Sequence, residues 1–101
     1  MAIGVQALQA NTTGTPNLAI GSSSLFTNTT GKGNLAIGFG ALFFNDTSSN
    51  NLAIGLGALQ KNTVDNNLAI GSSALTTNST GTPNLAIGSG ALATNDTGFF
   101  N

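Results

Sequence analysis

The chain has no cysteine, histidine, arginine, glutamate, tryptophan or tyrosine, and only five of its 101 residues are charged: Lys32, Lys61, Asp46, Asp65 and Asp96. Without histidine or cysteine there is no ordinary zinc, haem or iron–sulfur ligand set, and neither a Ser–His nor a Cys–His nucleophile pair can form. The lack of cysteine also removes any disulfide framework, while leaving the compartment open. Two lysines and no arginine give no basic footprint for nucleic acid, and a net charge of −1 gives no electrostatic steering. No apolar run approaches the ~18 residues of a membrane helix. Met1–Leu8 lacks the basic region and continuous apolar stretch of a signal peptide, so any export address is expected outside this stretch.

What is present is regular. The 40% of hydrophobic residues are placed at fixed intervals, which argues for order and against low-complexity coil. Asn-Leu-Ala-Ile-Gly begins at Asn17, Asn34, Asn51, Asn67 and Asn84, at spacings of 17, 17, 16 and 17, and Met1-Ala2-Ile3-Gly4 is a degenerate first copy. Each copy continues through two variable residues, Ala-Leu (Ser24-Leu25 in the second unit), two more variable residues, Asn, and a turn rich in Thr, Ser, Gly and Pro. The chain is therefore expected to be a single repeat domain over 1–101, with units 1–16, 17–33, 34–50, 51–66, 67–83 and 84–100.

A helix-pair repeat needs about twice this length, and the unit is interrupted by Gly and Asn. Two short strands and two turns fit. The spacing predicts an all-β parallel β-solenoid, one unit of about 17 residues per coil and six coils, ~29 Å tall at ~4.8 Å per coil. Leu18 and Ile20 alternate about Ala19, with Gly21 at a corner, Leu25 in a second short strand and Asn28 at the return. The expected core is Leu18, Ile20, Leu25, Leu35, Ile37, Leu42, Leu52, Ile54, Leu59, Leu68, Ile70, Leu75, Leu85, Ile87 and Leu92. Asn11, Asn28, Asn45, Asn62, Asn78 and Asn95 are expected to form an amide ladder from coil to coil. The short fourth unit loses its residue in the 62–67 turn, where loss is tolerable if the turn lies outside the ladder. Ala19, Ala36, Ala53, Ala69 and Ala86 alternate with the expected core residues, so they are expected to face a close neighbour. That neighbour is either a second wall of the same coil or another subunit. A coil this small encloses little core and has no metal or disulfide, so the subunit contact is the preferred expectation.

The Asn-Leu-Ala-Ile-Gly and Ala-Leu segments, with Asn-x-Thr-Gly, resemble repeats of bacteriophage tail-fibre proteins over essentially the whole chain. In architecture they are also similar to the head of trimeric autotransporter adhesins, whose repeat is shorter. The resemblance implies a left-handed parallel β-roll, assembled as three parallel chains in the shaft or head of an extracellular fibre. It implies binding to host surfaces rather than catalysis. Expected partners are thus further copies of the chain, three in parallel, with end-to-end stacking and a host-surface receptor beside them; no nucleic acid, membrane or cofactor is expected. Starting at the second position of a unit and ending at Asn101, the first of the next, the chain is expected to be a section of a longer fibre or a stacking subunit.

Other features have structural readings. Asp46 and Asp96 stand three coils apart, ~14 Å by the coil spacing, too far to share a metal or water. Asp65 and Lys61 read as solvated turn charges. Gly31-Lys32-Gly33 lacks the frame of a phosphate loop. Asn11, Asn28, Asn45, Asn78 and Asn95 match glycosylation acceptors but occupy the structural turn. Phe26, Phe39, Phe43, Phe44, Phe99 and Phe100 fall in variable columns, where they either pack between chains or bind sugars or partners. Two functional alternatives stand beside the fibre segment: a self-stacking filament subunit, and an ice-binding solenoid. For the latter, Thr13, Thr30, Thr47, Thr80 and Thr97 form one column, broken by Val64, and its neighbour is broken by Asp46 and Asp96. The fibre segment is expected to be non-catalytic, since no paired carboxylates in one groove are available within a chain.

Overall fold

The computed structural model describes residues 1–98, and the expectations placed on Phe99, Phe100 and Asn101 lie outside them. Those residues wind into stacked coils with no helix. Each coil contributes one short parallel strand to a six-stranded sheet: β1 (Ala2–Ile3), β2 (Leu18–Ile20), β3 (Leu35–Ile37), β4 (Leu52–Ile54), β6 (Leu68–Ile70) and β8 (Leu85–Ile87), in the order β1-β2-β3-β4-β6-β8. Five full turns of chain separate the six strands, the arrangement of a β-solenoid. Like stacks on like, Leu35 on Leu52, Ala36 on Ala53 and Ile37 on Ile54, and the one-residue deletion leaves the register intact, with Leu52 on Leu68.

The corner after each strand explains its glycine. Gly55 has φ +135°, and a Cβ there would stand 2.5 Å from the Gly71 carbonyl oxygen of the next coil, so neither the conformation nor the space admits a side chain.

The second wall differs from the expected strand. Leu25, Leu42, Leu59 and Leu75 have φ of 49°, 52°, 50° and 48°, and the backbone turns there. The reason is packing: Ser24 and Leu25, like Ala41 and Leu42, are consecutive and both fully buried, whereas a strand would turn one of each pair outward. Ladder bonds still link the coils, from Leu25 N–H to Ala41 O and from Leu42 N–H to Ala58 O, both 3.0 Å. A short sheet appears on this side only where β5 (Lys61–Asn62) pairs with β7 (Thr77–Asn78).

The interior reverses the expected faces of the first strand. Ala19, Ala36, Ala53 and Ala69 are wholly buried and Ala86 is 2% exposed, packed in one cluster with Leu25, Leu42, Leu59 and Leu75. They line the core and are not a subunit contact; the close neighbour is the second wall of the same coil. Leu18, Ile20, Leu35, Ile37, Leu52, Ile54, Leu68 and Ile70 flank them half-buried, and Leu85 and Ile87 are exposed, so these ten residues form the outer side of the sheet. The thinnest dimension of the molecule, 15 Å, holds two walls and one layer of side chains. That layer is filled by an inward leucine facing an alanine; adding the strand's own Leu and Ile would overfill it. Leu25, Leu42, Leu59 and Leu75 are buried as the spacing indicates, while Leu92 in the last described coil is 38% exposed.

Candidate interaction surface

Half of the interior is polar. Asn28, Asn45, Asn62 and Asn78 are fully buried. Each donates its amide to the Asn one coil earlier: Asn28 to Asn11 Oδ1 at 2.9 Å, Asn45 to Asn28 and Asn62 to Asn45 at 3.1 Å, and Asn78 to Asn62 at 3.3 Å. Asn95, in the last described coil, donates to Gly98 O at 3.2 Å. A second amide column, which the spacing displays but the sequence reasoning did not use, runs through Asn17, Asn34, Asn51, Asn67 and Asn84. In it the backbone N–H of Asn34, Asn51, Asn67 and Asn84 donates to the preceding Asn Oδ1 at 2.8–3.0 Å. The signal was the Asn opening every Leu-Ala-Ile: an invariant polar residue before an apolar strand is a candidate for a buried, fully bonded position.

The two columns share acceptors in the turn. Ser48 O accepts from Asn34 at 2.8 Å and Asn45 at 2.9 Å; in the short unit Val64 O accepts from Asn51 at 3.0 Å and Asn62 at 2.6 Å. The 62–67 turn is therefore part of the ladder, contrary to expectation, and the deletion is accommodated because the shorter turn still offers that carbonyl. No buried side-chain nitrogen or oxygen among the described residues lacks a partner. Asn28, Asn45 and Asn78 are thus closed inside the coil, which supports the structural reading of their acceptor-like sequences.

With alanine, leucine and asparagine used inside, the remaining apolar side chains face out. The Leu and Ile columns of the six-stranded sheet make one continuous apolar stripe. Around the glycine corner it is extended by Phe39, 60% exposed, and Leu56, 59% exposed. None of the five charged residues belongs to a strand of the six-stranded sheet; Lys61 lies in β5 on the other side. On the other wall Phe26 stacks on Phe43 at 4.9 Å between ring centroids, and Phe43 meets Phe44 edge-on at 4.6 Å. Those three rings pack on each other within one chain.

The threonines run along the turn edge, away from the flat sheet. Thr12 Oγ1 donates to Thr29 O at 3.0 Å, Thr63 Oγ1 to Ser79 O at 2.8 Å and Thr80 Oγ1 to Asp96 O at 3.0 Å, so these hydroxyls tie coils together. Thr29 Oγ1 meets Asp46 Oδ1 at 2.5 Å, which gives Asp46 a turn-bracing role. Among the described residues there is no group of three metal-ligating side chains, and no helix is long and apolar enough to cross a membrane.

Compared with known proteins, the chain matches no family model, and neither a curated protein nor a solved structure is significantly similar to it.

Proposed function

We propose that this chain is a non-catalytic structural and adhesive segment of an extracellular fibre, three parallel copies assembled through the outer side of the six-stranded sheet. The observation that carries the reading is the apolar stripe of Leu18, Ile20, Leu35, Ile37, Leu52, Ile54, Leu68 and Ile70. A sheet that turns its largest aliphatic side chains outward in unbroken columns, with no charge among them, is stabilised by covering that face. A partner with the same repeat offers matching columns at the same spacing, so knobs of one copy fall between coils of another along the whole rod. Three as the number, and a phage tail fibre or bacterial surface adhesin as the setting, rest on the resemblance of the Asn-Leu-Ala-Ile-Gly repeat.

Light scattering on the purified chain tests it. The expected mass is three times the 10.0 kDa of one chain. Ile54→Lys places a charge in mid-stripe and is expected to give a folded, dissociated chain. A wild-type mass of one chain, or an unchanged mass for Ile54→Lys, refutes this contact.

A further inference from the structure

We propose that the notch left by the short fourth unit is a binding site for a neutral saccharide. This rests on the surface-binding part of the fibre reading, yet succeeds or fails separately from the number of chains. The 62–67 turn, one residue shorter than its neighbours, borders a shallow cleft of about 440 Å³, lined by Thr47, Ser48, Thr63, Val64, Asp65, Asn66 and Thr82. The cleft is open to solvent, so a ligand there would be held at the surface by hydrogen bonds and not enclosed. A regular solenoid presents the same surface at every coil; the defect gives it one place unlike the others.

The lining suits sugar hydroxyls. Asp65 is anchored, its Oδ1 accepting the Ser49 N–H at 2.7 Å and its carbonyl accepting the Thr82 hydroxyl. Its other carboxylate oxygen, the Thr47 hydroxyl and the Asn66 side-chain amide have no hydrogen-bond partner among the described residues, while the Asn66 backbone N–H donates to Ser49 O at 3.1 Å. A fixed carboxylate accepts two neighbouring hydroxyls, and an amide with a hydroxyl supplies both a donor and an acceptor. Val64 and the threonine methyls give the C–H face of a sugar ring an apolar contact. A single carboxylate disfavours an anionic ligand, and too few acidic groups converge to hold a divalent cation.

The test is titration of the ¹⁵N-labelled full chain with glucose, galactose, N-acetylglucosamine, maltose and lactose at millimolar concentrations. At least one sugar is expected to shift the amides of Thr47, Thr63, Asp65, Asn66 and Thr82 saturably. Asp65→Asn keeps the oxygen that Ser49 needs and is expected to weaken that binding about tenfold, the effect of one charge-assisted bond. A glycine inserted between Val64 and Asp65 restores the 17-residue unit and is expected to abolish it while the remaining amide shifts stay in place. The proposal is overturned if no sugar gives a saturable shift, if the shifts map to Phe26, Phe43 and Phe44, or if Asp65→Asn binds equally well. Saturation of the same amides by calcium alone, with every sugar silent, also overturns it.

Discussion

Leu59 holds a left-handed backbone conformation that costs a non-glycine residue about 1–2 kcal/mol. It is retained because the turn aims a fully buried side chain into the core and lets its N–H reach Ala74 O at 3.0 Å. Leu59→Ala keeps the strain and loses the packing, so chemical denaturation should show a loss of about 3 kcal/mol. The glycines divide by what surrounds them. Gly55→Ala meets both a forbidden φ and a carbonyl oxygen 2.5 Å away, and should cost at least about 3 kcal/mol. Gly57 has φ +64° with open space beyond it, and Gly57→Ala should cost only about 1 kcal/mol. Equal effects in thermal melts would show that the corner is not limited by the coil above. Asn45→Ala removes two donated bonds, to Asn28 Oδ1 at 3.1 Å and Ser48 O at 2.9 Å, and deprives Asn51 and Asn62 of an acceptor. It should cost about 3 kcal/mol or more, because the orphaned groups stay buried.

The strand Leu52–Ile54 is three residues long, and its two faces have opposite duties. Ala53 looks into a layer already filled by leucine, so Ala53→Lys should abolish folding, seen as loss of cooperative unfolding by circular dichroism. Ile54, one residue on, looks outward, and its substitution by lysine should act on assembly alone. The repeat spacing made the strand and its register legible, but not this division, since Leu, Ala and Ile recur with the same period. The thickness of the folded coil resolves it: at 15 Å the molecule is too thin for three large side chains per layer. The turn-built second wall was only partly legible: Gly40, Gly57 and Gly90, at φ of 64°, 64° and 69°, mark it before Ala-Leu, but the left-handed leucine two residues on carries no such sign.

In the whole molecule each coil touches only its neighbours, so stability should build up coil by coil. Excising 34–50, one full unit, joins Gly33 to Asn51 and preserves every column. The shortened chain should still unfold cooperatively in urea, with a lower midpoint and a smaller slope because less surface is exposed. Excising only 34–41 breaks the columns and should leave no cooperative transition. A folded product from the second deletion would contradict stacking in register as the source of stability. The notch belongs to this scale as well, since it exists only by contrast with the coils on either side.

The sequence by itself determined which residues stack on which. Like side chains at fixed spacing gain most when superposed, and that is enough to specify coils, the parallel sheet, the asparagine ladder and the buried leucines at 25, 42, 59 and 75. Tertiary structure alone decided which side of each strand is inside, because turning a strand over changes nothing in its period. The interior volume breaks that tie, sending alanine in and leaving leucine and isoleucine on the outer side of the sheet.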